Sequence, residues 1–365
     1  MLPKVNMFIS RVHGQSCTTR LTLGRVETMS LTAMSIAATR YALSAPEIFA
    51  QARITADLEE VEQALLERSV SRSAVITAAS MHTIQAGGKR LRAGLVLLAA
   101  RLGQYALERV MPAATTAEFI HTASLVHDDL VDQADQRRNR ITVHSRWDSD
   151  VALMVGDYLF GRAAAEMARA DDPRVITFFT DTVQTIVEGE LNPVTDVAPL
   201  EIALEQYLFK IGCKTASLFA AACQSGMALG GGSDADITAL EQYGYDLGLV
   251  FQIVDDVLDF TGNEATLGKP AGNDLRQGTI TLPLIYAVAH SSSPLLHDIV
   301  NQPNLSHAAV AQAVAEVIRC GGVERAYADA AMYARRAVAH LERFAPSAAR
   351  QALTDLAAFA LEREK

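Results

Sequence analysis

Six aspartates stand in two matching patterns. Asp128, Asp129 and Asp132 lie in "LVHDDLVD", and Asp255, Asp256 and Asp259 in "FQIVDDVLDFTG". Each set follows an apolar run and keeps the spacing D-D-x-x-D. On a helix, residues four apart share a face, so the outer acids of each set point together and the middle one sits about 100° round. Carboxylates this close repel one another and call for a cation. Hard oxygen donors with no cysteine and no obligatory histidine suit Mg²⁺, which shares its shell with phosphate oxygens. One such set alone could be a solvated acidic helix end. Two sets about 127 residues apart, each closing a buried helix, predict a mouth of six carboxylates facing each other across Mg²⁺ ions and a diphosphate.

Cations are supplied beside the acids. "GGKRLR" brings Lys89, Arg90 and Arg92 after a glycine turn; Arg137 and Arg138 follow the first acidic set; Lys214 and Thr215 sit in "IGCKTASLF", and Lys269 in "LGKPAGND". Arginine clamps phosphate oxygens through a planar fork, and lysine acts as a point charge. The chain carries a formal charge of −10, which argues against nucleic acid as a partner. Basic residues in such a chain, set next to acidic motifs, point to an anionic ligand held partly by metal and partly by protein. The glycine turn is not a nucleotide-binding Walker loop, because no G-x-x-x-x-G-K-[ST] surrounds it.

The elements that must position these residues are helical. The chain has 365 residues, half of them apolar and 6% aromatic. From Ile48 onward the apolar residues recur at helical spacing, and convincing β-alternation is absent. "PEIFAQARITADLEEVEQALLERSV" reads as one amphipathic helix and "AGLVLLAARLG" as a core helix ending at Gly103. "TTAEFIHTASLVHDDLVD" follows, with Thr115 or Thr116 as N-cap. Further helices are predicted over 149–170, 173–191, 200–229, 234–260, 279–290, 306–318, 322–343 and 346–363. The expected architecture is an all-α bundle with one central core, no linker after residue 50 and no solenoid repeat. Cysteines at 17, 213, 223 and 320 form neither a zinc site nor a disulfide framework and suit a reducing cytoplasm. No apolar run reaches the ~20 residues of a membrane span. The first 45 residues differ: Lys4, Arg11, Arg20, Arg25 and Arg40 face one acid, Glu27, among many Ser and Thr. They read as a poorly ordered extension, a segment ahead of a true start at Met29 or Met34, or an organellar targeting segment. The main domain then spans 46–365.

In the order "GGKRLR", "HTASLVHDDLVD", "RR", "GDYLF", "KTASLF", "FQIVDDVLDF" and "LGKPAGNDL", these motifs resemble the trans-isoprenyl (polyprenyl) diphosphate synthases. One departure is Ala93, where the first motif commonly ends in Pro. The resemblance implies an isoprenoid synthase-type helical bundle around a central cavity, acting as a homodimer. It implies head-to-tail condensation of isopentenyl diphosphate onto an allylic diphosphate, farnesyl or geranylgeranyl. By position, Asp128, Asp129, Asp132, Asp255, Asp256 and Asp259 would hold Mg²⁺. Arg137, Lys214 and Lys269 would contact the allylic diphosphate. Lys89, Arg92, His121 and Arg138 would bind isopentenyl diphosphate, with Thr215 and Gln252 beside the reacting carbons. Read alone, His121 could equally be a core histidine, and His127 reads as structural.

Ionising an allylic C–O bond makes pyrophosphate and a carbocation, so charge stabilisation on the leaving group is the main demand. The alkene then attacks, a proton is lost, and the departing pyrophosphate is a plausible base. Small residues at Ala123 and Ser124, one turn below Asp128, would let a growing tail pass. In the family they accompany long products of roughly eight to ten units, whose floor lies several turns deeper; such tails serve quinones and are handed to a membrane. Phe160, Phe178 and Phe179 are alternative floors. The competing readings are a short-chain synthase making farnesyl or geranylgeranyl diphosphate, the catalytic subunit of a heteromeric synthase, a terpene cyclase or head-to-head synthase, and a regulatory subunit. The complete basic set counts against a cyclase, and two complete acidic sets count against a regulatory subunit.

Overall fold

The apolar residues of 45–68 cannot lie along one straight helix. At about 100° per residue, Ile48, Phe49 and Ala52 would form one stripe, with Ile54, Val61 and Leu65 on the opposite side. In the computed structural model the chain breaks between the two stripes. Helix α1 (Ala45–Gln51) ends, Arg53 takes a φ of 58°, and α2 (Thr55–Arg68) begins. The break folds both stripes into one core, where all six residues are buried. The single helix expected here is therefore two.

The structure describes residues 43–262, 271–291, 293–300 and 305–363. The reading of the basic N-terminal segment and that of Lys269 lie outside these residues. After α2 come α3 (Ala74–Ile84), α4 (Leu91–Ala100), α5 (Leu107–Val131), α6 (Val143–Arg146), α7 (Ser149–Met167), α8 (Arg174–Glu190) and α9 (Leu200–Ile211). A π-helical segment, Gly212–Ala216, joins α9 to α10 (Ser217–Leu229), which is followed by α11 (Asp234–Thr261), α12 (Asn273–Arg276) and α13 (Leu282–His290). The chain continues through α14 (Pro294–Val300), α15 (His307–Arg319), α16 (Gly322–His340) and α17 (Ala348–Glu362). The all-α expectation holds. Helices α5 with α7, α10 with α4 and α11, and α11 with α16 form the main packing pairs. No helix among the described residues is long and apolar enough to cross a membrane.

Two further expectations are corrected. Thr115 and Thr116 are not N-caps but interior residues of α5, which starts at Leu107 and runs through Pro112. Both threonines are fully buried. The Thr115 hydroxyl bonds back to the Met111 carbonyl at 2.9 Å and accepts from Arg68, whose guanidinium also meets the buried Glu166 of α7 at 2.5 Å. That ion pair ties α2, α5 and α7 together. The helix expected over 200–229 is interrupted by the π segment. Its extra residue is accommodated because its neighbours are small. A Cβ on Gly248 of α11 would sit 2.5 Å from Ala216 Cα, and one on Gly189 of α8 would sit 2.4 Å from Cys213 Cβ.

Strand structure among the described residues is one short ladder, β1 (Gln136–Arg137) against β2 (Arg140–Ile141). Its two-residue loop, Arg138-Asn139, has φ values of 52° and 60°. Positive φ at both central residues makes a tight hairpin turn. The hairpin presents the arginine pair directly after the first acidic set.

Candidate active site

The first acidic set closes α5. Asp128 and Asp129 are in its last turn, and Asp132 is the exposed residue that caps its end. Asp128 Oδ2 lies 3.2 Å from Lys214 Nζ, and the same ammonium meets Glu190 Oε1, at the end of α8, at 2.5 Å. Arg137 Nε donates to Asp129 Oδ1 at 2.6 Å. Burial raises the Asp128 and Asp129 carboxyls above their ordinary range, against the pull of Lys214 on one and Arg137 on the other. Burial would lower the Lys214 pKa, but Asp128 and Glu190 outweigh it and the net shift is upward, so the ammonium stays charged.

The second set closes α11 and connects to the first through the π segment. The Thr215 hydroxyl donates to Gln252 Oε1 at 2.8 Å, Gln252 Nε2 donates to Asp256 Oδ1 at 2.9 Å, and the Tyr207 hydroxyl donates to Asp256 Oδ2 at 2.6 Å. A continuous run therefore leads from Asp128 through Lys214, Thr215 and Gln252 to Asp256. Asp255 is exposed and meets Arg363 at 2.8 Å. Asp259 accepts from the backbone amides of Asn273 and Asp274 at 3.2 and 3.0 Å.

Asp256 is 5% exposed. Burial and then the nearby Asp274 push its carboxyl up to about 8, in spite of the two hydrogen bonds. Between its ordinary value of 3.8 and about 8 the folded group keeps a proton that the unfolded chain has lost. Wild-type stability therefore falls as pH rises through that window, by about 1.4 kcal/mol per pH unit. Asp256→Asn removes this slope because an amide does not titrate, and the Tyr207 hydroxyl can turn to accept from it. In the presence of a chelator, the variant is expected to gain on the wild type from pH 5 to pH 8 by a few kcal/mol, roughly. Denaturant melts at both pH values check this. A stability difference independent of pH would contradict it.

The basic residues gather at the start of α4. Arg90 caps this helix in a left-handed conformation, with φ 46°. The Arg138 guanidinium donates to the Gly87 carbonyl. Arg92 Nε is buried without a hydrogen-bond partner, and burial lowers the Arg92 pKa to about 10. Burial, together with Arg92, Arg138, Arg137 and Arg90, pushes His121 well below its ordinary value, so it stands neutral at pH 7. Three rings underlie the cluster: Phe219 and Phe251 have centroids 5.5 Å apart, and Phe251 and Phe359 6.4 Å. Arg92 sits 4.9 Å over Phe219, Lys89 4.9 Å over Phe359 and Arg363 4.1 Å over Phe251. Cation–π contacts of this kind hold side chains while leaving donors for an anion.

The residues fit a divalent cation. Buried carboxylates raised above their ordinary range favour positive charge beside them, and three protein cations already lean on the two sets. Among the described residues no group of three His, Cys, Asp or Glu side chains stands ready to hold a metal ion by itself. A divalent cation held through one or two carboxylates takes its remaining ligands from phosphate and water. Asp128 and Asp132 on one side, and Asp255 on the other, are the ligands this arrangement would offer first. Asp256 and Asp259 use both of their oxygens within the protein.

The structure thus brings the expected residues of both acidic sets, Lys214, Thr215, Gln252, Arg137 and their basic neighbours into linked groups. Glu118, Glu190, Tyr207 and Arg363 were not expected. Glu118 carried a signal, a lone acid in an apolar run three residues before His121. Arg363 carried none, since it reaches Asp255 from the far end of the chain.

Below Asp128, the stripe of α5 runs through Ser124 to Ile120. Ser124 is half-buried and its hydroxyl bonds to the Ile120 carbonyl at 2.9 Å, while Ala123 is fully buried. Ile120 lines a cavity of about 280 Å³ with Phe160, Ala163, Met167, Val183 and Gln184. Phe160 is therefore a wall of this space. Phe179 is packed in the core and Phe178 is partly buried against it. His127 packs at a tilt against Phe160, with centroids 5.8 Å apart, and contacts the Leu153 carbonyl at 3.2 Å.

The family model described as polyprenyl synthetase matches residues 73–317. Heptaprenyl diphosphate synthase component 2 of Geobacillus stearothermophilus is 40% identical over 308 residues, covering 84% of this chain and 96% of that protein. Octaprenyl diphosphate synthase of Escherichia coli is 34% identical over 313 residues, covering 85% and 96%. The crystal structure of a Caulobacter crescentus polyprenyl synthase, complexed with calcium and isoprenyl diphosphate, aligns with a TM-score of 0.83 at 36% identity, covering 90% of this chain and 100% of that one. A Rhodobacter capsulatus decaprenyl diphosphate synthase aligns at 0.81 and 35% identity, covering 88% and 100%. A helical bundle with two linked aspartate sets, a basic cluster and this degree of similarity lead to one assignment: the chain belongs to the polyprenyl synthetase family and is a prenyltransferase.

Proposed function

We propose that this enzyme condenses isopentenyl diphosphate head-to-tail onto an allylic diphosphate, farnesyl or geranylgeranyl, and repeats the step to a long all-trans polyprenyl diphosphate. The observation that carries this reading is the run from Asp128 through Lys214, Thr215 and Gln252 to Asp256, with an apolar cavity below its first acid.

Each residue has a part in the chemistry. Lys214 and Arg137 are placed to take oxygens of the allylic diphosphate as its C–O bond breaks and negative charge grows there. When bound, Mg²⁺ neutralises that same diphosphate charge. The Thr215 and Gln252 oxygens offer dipoles to the allylic carbon as it becomes positive. Lys89, Arg92 and Arg138 hold the second diphosphate, and neutral His121 can donate to it without adding charge. Arg92 Nε, buried with no partner, gains one when a phosphate oxygen arrives. The apolar walls keep water from the cation.

Incubation with farnesyl diphosphate, labelled isopentenyl diphosphate and Mg²⁺ tests the reading. The expected products are polyprenyl diphosphates well beyond four units, and none in excess EDTA. Equal elongation with EDTA would remove the metal assignment, and arrest at three or four units would favour a short-chain synthase. A second subunit is also expected. Leu153, Met154, Ile176 and Val187 of α7 and α8 are exposed, which suits a homodimer. The relative named as a component 2 favours a heteromeric partner instead. Solution mass and turnover of the purified chain decide between them. A quinone side chain handed to a membrane is the use that a long product suits.

A further inference from the structure

Ala93 departs from the proline that commonly ends the first basic motif, and the structure shows what its amide does. The Ala93 N–H donates to Glu118 Oε1 at 3.1 Å within the protein interior. Ala93 lies in the first turn of α4, where backbone donors have no partner within the helix. Arg90, the N-cap, supplies no side-chain acceptor. Glu118, from the middle of α5, fills that role from outside. Its second oxygen, Oε2, lies 3.6 Å from an Arg90 guanidinium nitrogen. Its side chain is 3% exposed, so this is a buried carboxylate with each oxygen committed. Glu118 is also the acid that acts on both Arg92 and Arg138. It stands three residues before His121, on the same face of α5.

We infer that Glu118 is a positioning residue of the isopentenyl diphosphate site: it fixes the start of α4 and Arg90, and its charge limits how tightly the neighbouring arginines hold a diphosphate. The inference rests on the function proposed above. Two properties follow from one side chain. Its reach sets where Lys89 and Arg92 emerge from the α4 turn, because Ala93 and Arg90 flank Arg92. Its charge opposes the incoming anion, since it lies 3.6 Å from Arg90 and its field acts on Arg92 and Arg138. A site that must bind a fresh isopentenyl diphosphate in every cycle of a long elongation benefits from that restraint.

Changing charge and reach separately gives opposite signs. Glu118→Gln keeps the length and an oxygen for the Ala93 amide but removes the charge. It should tighten isopentenyl diphosphate binding, on the order of tenfold for one charge removed at partly screened distances. Glu118→Asp keeps the charge but cannot reach both partners, and it should weaken binding by a similar factor. The readouts are the isopentenyl diphosphate dissociation constant by calorimetry without metal, and the KM values for both substrates. The allylic KM should not move. A purely structural Glu118 would lower the melting temperature and leave these constants alone. A glutamine enzyme whose constant for isopentenyl diphosphate does not fall overturns the inference. If that variant does not fold, the aspartate enzyme decides, and an unchanged constant there overturns it equally. Failure of the proposed function is separate, because it would appear as a wild-type enzyme that makes no elongated product.

Discussion

Asp128→Ala is expected to cut turnover by at least ~10²–10³-fold, the scale seen when one preorganised group is removed from a developing charge. Asp255→Ala should do the same from the other side of the site. Neither change should unfold the protein. Without Asp128, Lys214 keeps Glu190 at 2.5 Å, so no buried charge is orphaned. Burial already raises the Asp128 carboxyl, and removing it relieves that cost. Asp255 is exposed, and its partner Arg363 also donates to the Phe251 carbonyl and lies over the Phe251 ring. Melting should therefore shift by no more than about 1 kcal/mol in either variant. Paired rates and melts decide. Variants that are much less stable yet retain normal specific activity would mean that the aspartates serve the fold instead of the chemistry.

The second large effect concerns product length. Phenylalanine at Ala123 or Ser124 should shorten the product to roughly three or four isoprene units, because the ring would stand only ~6–7.5 Å along α5 from Asp128. The cavity at Ile120 lies another turn deeper, about 12 Å from the same acid, and a blocked tail would not reach it. The two positions differ in cost. Ser124 is half-buried, whereas Ala123 has no exposed surface. Ala123→Phe overpacks and should lose about 1–3 kcal/mol of stability; Ser124→Phe should lose less. The first condensations should proceed near their normal rates in both. Chromatography of the dephosphorylated products is the measurement. A folded, active Ser124→Phe enzyme still making full-length chains would place the tail on another face of α5.

Much of this molecule was legible from the chain alone. The two D-D-x-x-D sets announced themselves because local spacing puts carboxylates on one helical face, and α5 and α11 do end on them. Helices α7, α8, α11 and α15 to α17 fall close to their expected spans, since each carries a sustained apolar period. The misses have tertiary causes. Helix α5 was expected to start at Thr115 or Thr116, yet it begins at Leu107 and runs through Pro112, tied to neighbouring helices by Arg68 and Glu166. Helix α3 went unseen because its apolar residues do not form a clean stripe. The π segment left no mark on periodicity, being a single residue of surplus. Tyr207 and Arg363 reach their aspartates across 49 and 108 residues of chain respectively, and no local pattern encodes such a meeting.

That surplus residue has a consequence of its own. In Gly212–Ala216 the position of Lys214 and Thr215 is set by how many residues the turn contains, as well as by which ones they are. Deleting any one residue there would let α9 and α10 merge into one uninterrupted helix, with every hydrogen bond of the ladder restored. It would also turn one flanking helix by about 100° relative to the other. Lysine and threonine could both still be present in the shortened chain, and whichever moves with the turned helix would no longer face the aspartates. Activity at this site is thus encoded partly as a length, a property that substitution scanning leaves untouched and a single-codon deletion exposes.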